Sequence, residues 1–194
     1  MQAKWNRRKL LKRGLLLGTG GAIAFGGFKW YDWHKTPDFT FLENNKELLN
    51  ALSETIIPAT DTPGAKEANI AEYIIIMIKD CTTKVSQNRF IDGVKAINKK
   101  AISKYDKPYA RCTVQQQTIL LQQYASSKPF TGKLGKLEEK YLDKSFFYTL
   151  KELTVKGYCT SKTGATKGLA YQPVPGQYIG CQPVTPSQKA WATK

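Results

Sequence analysis

Apolar residues recur at helical spacing along most of this sequence. Leu48, Leu49, Leu52 and Ile56 share one face and stop before Pro58, which predicts a first amphipathic helix. The segment Pro58-Ala59-Thr60-Asp61-Thr62-Pro63-Gly64 is dense in turn formers whose Asp and Thr side chains can hydrogen-bond their own backbone, so it reads as an ordered connector. Residues 66–80 carry Ile70, Tyr73, Ile74, Ile75, Ile76, Met77 and Ile78 between Lys66-Glu67 and Lys79-Asp80. The β-branched density would suit a strand, but the length and the charged ends favour a helix buried nearly all round. From Gln87 to Ser103, Phe90, Val94, Ile97 and Ala101 step by four, three and four among lysines, predicting a surface helix with one buried stripe.

Thr113 and Gln116 fit a capping box ahead of Ile119, Leu120, Leu121 and Tyr124, predicting a further helix of about three turns. A last pattern, from about Gly135 to Lys156, sets Leu142, Phe146, Phe147, Leu150, Leu153 and Thr154 against Lys140, Lys144 and Lys151. Gly157 is expected to end it. Residues 157–194 hold four of the nine prolines and no period, so they read as a long irregular arm packed on the helices. The expected fold is mainly α: residues 36–194 form a compact helical domain with an irregular C-terminal arm, and residues 1–35 form an export signal and linker.

The leader breaks the helical pattern. An uncharged run of 15 residues, six of them glycine, follows the basic stretch Lys4–Arg13. A basic region ahead of a short apolar one is the layout of a secretory signal. Asn6-Arg7-Arg8-Lys9-Leu10-Leu11-Lys12 resembles the twin-arginine signal, with Arg7, Arg8, Leu10, Leu11 and Lys12 in the expected order. As a helix the run would span roughly 22 Å, short of the ~30 Å of a bilayer core. Ala22-Ile23-Ala24 offers a cleavage site, whereas Phe28, Trp30, Tyr31 and Trp33 would suit a retained anchor at a membrane interface; both remain open. A dinucleotide-binding glycine loop is excluded, since Ile23 stands where the third glycine should be and no strand precedes.

Composition narrows the chemistry. The 194 residues carry 30 Lys plus Arg against 15 Asp plus Glu, a net +15. Residues 1–35 hold eight basic groups against Asp32 alone, a net +7; the other 159 residues, with 22 basic and 14 acidic groups, carry +8. The lysine faces Lys95, Lys99, Lys100, Lys104 and Lys133, Lys136, Lys140, Lys144 read as solvated helix faces, and an exported protein meets little nucleic acid. His34 is the single histidine, which excludes multi-histidine metal sites and a Ser-His-Asp triad in the folded region. Glu138 and Glu139 point to different faces, Glu43, Glu47 and Glu54 look solvated, and nothing is tied by spacing to Ser161, Thr163 or Thr166. No catalytic or metal-binding residue is assigned. Cys81, Cys112, Cys159 and Cys181 contain no C-x-x-C; Cys159 and Cys181 bracket the arm and are the candidate disulfide, and Cys81 and Cys112 read as buried thiols beside helices.

Two separated blocks carry a family resemblance. Ile56-Ile57-Pro58-Ala59-Thr60-Asp61-Thr62-Pro63-Gly64-Ala65 is one. The other is Phe146-Phe147-x-x-Leu150-Lys151-Glu152-Leu153-Thr154-x-x-Gly157-Tyr158-x-Thr160-Ser161-x-x-Gly164-Ala165-Thr166, continuing through Tyr171-x-Pro173-Val174-Pro175-Gly176-x-Tyr178-x-Gly180-Cys181. Together they resemble the gluconate 2-dehydrogenase subunit 3 family over about residues 42–185. Cys159 and Lys162 depart from it, standing where many members have an aromatic and an acidic residue.

The resemblance implies a non-catalytic, cofactor-free small subunit of a membrane-associated periplasmic dehydrogenase. Its catalytic partner would be an FAD-dependent flavoprotein of the glucose-methanol-choline class acting on gluconate or a sugar, with a cytochrome c subunit carrying haem c as a common third component. The small subunit would escort the folded flavoprotein through twin-arginine export and stabilise it. Such a partner needs exposed aromatic and apolar anchors. Tyr158, Tyr171, Val174, Pro175 and Tyr178 are the candidates, with Phe146 and Phe147 assigned to the core. Each candidate has the alternative of closing the domain's own core. A stand-alone exported or membrane-anchored helical binding module is the other reading of the whole chain.

Overall fold

The computed structural model describes residues 35–126 and 145–174 together with positions 176, 181, 183, 186 and 188–192 of the arm. The export residues Arg7, Arg8, Leu10, Leu11 and Lys12, and residues 135–144 of the last helical pattern, lie outside the described residues. Six α-helices are described: α1 (Phe39–Asn44), α2 (Lys46–Ile56), α3 (Ile70–Cys81), α4 (Lys84–Tyr105), α5 (Val114–Ser126) and α6 (Phe146–Thr160). A 3₁₀ turn at Tyr109–Arg111 precedes α5, and a π-helical turn at Gly164–Gly168 follows α6. The mainly α expectation holds.

Each boundary has a local cause. Asp38 caps α1 by accepting the Phe41 N–H at 3.1 Å, and Thr83 caps α4 by accepting the Ser86 N–H at 3.3 Å. The capping box forms as expected: the Thr113 N–H donates to Gln116 Oε1 at 3.1 Å and the Gln116 N–H to Thr113 Oγ1 at 3.4 Å. Asn69 before α3 and Asp106 after α4 both adopt φ of 54°, the left-handed region that Asn and Asp tolerate better than most residues. The α3–α4 corner is held by buried Gln87, whose amide donates to the carbonyls of Ile78, Lys79 and Thr82 at 3.0–3.1 Å. It thereby satisfies carbonyls that the end of α3 leaves unpaired.

The core gathers Leu42, Leu49 and Leu52 with Ile74, Ile78, Phe90, Val94, Ile97, Leu120 and Leu150, all fully or nearly fully buried. The stripe expected of α4 is therefore buried in full. Helix α6 packs against α2, α3, α4 and α5, so it organises the interior. At its start, Phe146 lies 5.5 Å from the Phe90 ring and 6.0 Å, edge-on, from the Tyr124 ring. Its ring occupies the space that a side chain at Gly93 would need.

Three expectations change. Helix α3 is not buried all round, because Ile76 is 52% exposed. Helix α6 does not stop at Gly157 but continues to Thr160. Gly157 is there for closeness: a β-carbon would lie 2.6 Å from Cδ1 of Tyr73 on α3. Among the described residues of the arm, its first turn packs on α6, while Tyr171, Val174 and Trp191 are exposed.

Candidate partner-docking site

The connector after α2 and the turn after α6 form one junction. Glu54, in the last turn of α2, accepts the backbone N–H groups of Ala59 at 2.9 Å and Lys66 at 2.8 Å. The connector is thus ordered as expected, but by a carboxylate that spacing alone had read as solvated. Gly64 lies against that carboxylate, and a β-carbon there would overlap it. From α6, the Tyr158 hydroxyl donates to the Pro63 carbonyl at 2.7 Å. Two segments about 95 residues apart in the chain therefore meet on one hydrogen bond.

The turn after α6 is built around the same tyrosine. The Ser161 hydroxyl donates to the Tyr158 carbonyl at 2.8 Å and accepts the Gly164 N–H at 2.9 Å, closing the helix end. A β-carbon at Gly164 would collide with the Tyr158 carbonyl oxygen, and one at Gly168 with the Tyr158 hydroxyl. Both positions need glycine because the backbone passes so close. Lys167 pairs with Glu67 on the connector side at 3.4 Å, a second link across the junction that solvent keeps weak.

The arm leaves from this base. Ala170 pairs in parallel with Trp191: the Ala170 N–H donates to the Ala190 carbonyl and the Ala192 N–H to the Ala170 carbonyl, both at 2.9 Å. The Lys189 ammonium donates to the Lys167 carbonyl at 3.3 Å. The bridge returns the chain to its own root and holds two aromatics beside it, with Tyr171 and Trp191 each 48% exposed and Val174 78% exposed. On the outer face of α6, Tyr148 and Val155, one heptad apart, are exposed too.

The expected anchors separate on this geometry. Tyr158 is buried and holds the connector, so its ring and hydroxyl face inward and not toward a partner. Tyr171 and Val174 are open to solvent; Pro175 and Tyr178 lie outside the described residues. Phe146 and Phe147 pack against the core as expected. Trp191, Glu54 and the glycine contacts at 164 and 168 were missed. The signal for Trp191 was a lone indole near the end of an arm without acidic residues. For Glu54 it was a carboxylate one turn ahead of a connector full of amides needing acceptors.

Cys159 is partly buried and Cys181 exposed, and both are free thiols in this structure. Cys159 sits inside the last turn of α6, because the helix runs on through Gly157. Cys112 is buried as expected, and burial pushes its thiol pKa up, whereas Cys81 is exposed. Elsewhere, the fully buried Tyr109 links α2, α4 and α5. Its hydroxyl lies 3.0 Å from Thr55 Oγ1 and donates to the Gln117 carbonyl at 3.2 Å, its N–H donates to Asn98 Oδ1 at 3.0 Å, and its carbonyl accepts from the Gln117 amide at 2.9 Å. Desolvation pushes its pKa up to about 12. Among the described residues no group of three or more His, Cys, Asp or Glu side chains could hold a metal ion, and no helix is long and apolar enough to cross a membrane.

The junction joins the two blocks that carried the resemblance, and the family model described as gluconate 2-dehydrogenase subunit 3 matches residues 43–176, about two thirds of the chain. The chain belongs to the gluconate 2-dehydrogenase subunit 3 family. No curated protein and no solved structure matches it. Membership makes the chain a subunit of a dehydrogenase complex and implies a catalytic partner. In this member of the family, Tyr158 joins α6 to the connector, and Ser161, Gly164 and Gly168 fold the arm's root against that tyrosine.

Proposed function

We propose that this chain is the non-catalytic small subunit of a membrane-associated, FAD-dependent gluconate or sugar dehydrogenase, and that it escorts the flavoprotein through twin-arginine export and stabilises it. The observation that carries the reading is the arm. A fold that fastens its root with Tyr158, Ser161 and two close-contact glycines, yet leaves Tyr171, Val174 and Trp191 exposed, holds apolar anchors ready for another surface. The leader supports the escort role: Arg7-Arg8-Lys9-Leu10-Leu11-Lys12 is an address for folded cargo, and a flavoprotein folds around FAD before it leaves the cytoplasm. FAD, and haem c where a cytochrome subunit is present, belong to the partners in this reading, with the complex at the inner membrane and facing the periplasm.

The test is export in trans. With the chain and its flavoprotein co-expressed, Arg7→Lys with Arg8→Lys is expected to leave both in the cytoplasm, scored by fractionation and immunoblotting. Normal export of the flavoprotein beside the variant would contradict the escort role.

A further inference from the structure

The arm carries basic charge and no acidic charge. Residues 157–194 contain Lys162, Lys167, Lys189 and Lys194 and not one Asp or Glu, whereas residues 36–156 carry 14 acidic groups. The fold concentrates this difference. Lys162 and Lys167 lie on the π-helical turn and its approach, and Lys189 is drawn onto the same turn by its bond to the Lys167 carbonyl. The Ala170–Trp191 bridge then sets Tyr171 and Trp191 beside them. The carboxylate seen to face these ammonium groups is Glu67, at 3.4 Å from Lys167, with both side chains more than half exposed. Among the described residues, one carboxylate against three lysines leaves the arm's root cationic as well as apolar.

We propose that this root docks on an acidic surface of the dehydrogenase's catalytic subunit, with carboxylates of the partner facing Lys162, Lys167 and Lys189 and an apolar depression receiving Tyr171 and Trp191. The inference rests on the small-subunit reading above and adds the chemistry of the partner's surface. Complementary charge of this kind guides encounter and fixes register, while the aromatics supply most of the contact energy. Such a contact weakens with salt, because exposed charges are screened over a Debye length of about 10 Å at 0.1 M.

The experiment uses the full chain co-expressed and purified with its catalytic subunit, the affinity being read by titration at low salt and at about 0.5 M NaCl. Salt is expected to weaken the wild-type complex. Lys162→Glu, Lys167→Glu and Lys189→Glu combined should weaken it by about tenfold or more at low salt, while Lys99→Glu with Lys104→Glu on α4 should leave it unchanged. The same three positions changed to Gln give an intermediate loss and control for misfolding, checked by the melting transition. Equal loss from the α4 pair would show only a general charge effect and overturn the assignment to the arm. A complex that forms normally with the triple Glu variant overturns the inference and leaves the small-subunit reading standing. Failure of the wild-type pair to associate at all overturns both. Should the triple variant keep its partner but lose binding to vesicles of anionic phospholipid, the arm is a lipid-binding element and the inference is wrong.

Discussion

Tyr158 joins three parts of the chain: its ring packs in the core, its hydroxyl holds the connector at Pro63, and its carbonyl receives Ser161. Tyr158→Phe keeps the ring and removes one bond to a carbonyl, so urea denaturation should show a loss of about 1 kcal/mol. The same change should loosen the connector, visible as faster amide exchange at Ala65 and its neighbours. Glu54→Ala strips the acceptor from two backbone N–H groups and should cost more, about 1–3 kcal/mol. Tyr109 makes a pH prediction. Its folded pKa of about 12 lies above the ordinary 10, so its contribution is complete below pH 10 and is lost as pH rises toward 12. The loss amounts to about 2–3 kcal/mol, measured as the difference between wild type and Tyr109→Phe so that the lysines cancel. None of these roles was legible in periodicity: Tyr158 and Glu54 act across gaps of 95 and 12 residues, and spacing reports only which face of an element a residue lies on.

Among the elements, α6 gives the sharpest sign. In an open helix Gly→Ala stabilises by about 1 kcal/mol, but at position 157 the new methyl would lie 2.6 Å from Tyr73 Cδ1. Gly157→Ala is therefore expected to lower the melting temperature, by the equivalent of about 1–3 kcal/mol of overpacking. A rise would mean that Tyr73 swings away freely. On α5, Thr113→Ala removes half of the capping box and should cost about 1 kcal/mol by the same assay. The helices themselves were readable because their signals are local: the four-three-four stripe of α4, the Thr113/Gln116 box and Pro58 after α2 all speak within one or two turns. The end of α6 was misread for the same reason. A glycine near a helix terminus looks locally like a stop, and only the Tyr73 ring across the interface shows why it is needed in mid-helix.

At the scale of the molecule, the two family blocks are far apart in sequence and adjacent in space, and the acid-free arm springs from where they meet. Family membership was legible in those blocks, and the candidate anchors only partly: Tyr171 and Val174 stand exposed, Tyr158 turns inward, and Trp191 is set beside Tyr171 by the bridge to Ala170. Charge behaves likewise, since the net +15 divides into a +7 leader and a domain whose surplus gathers in part at the arm's root. The proposed role makes this chain part of a flavin-containing dehydrogenase. The decisive measurement is to purify it from native expression by a tag at a site away from the arm and to record size and visible absorbance. Co-elution with a larger polypeptide and a flavin spectrum is expected; a colourless monomer under the same conditions would overturn the small-subunit role.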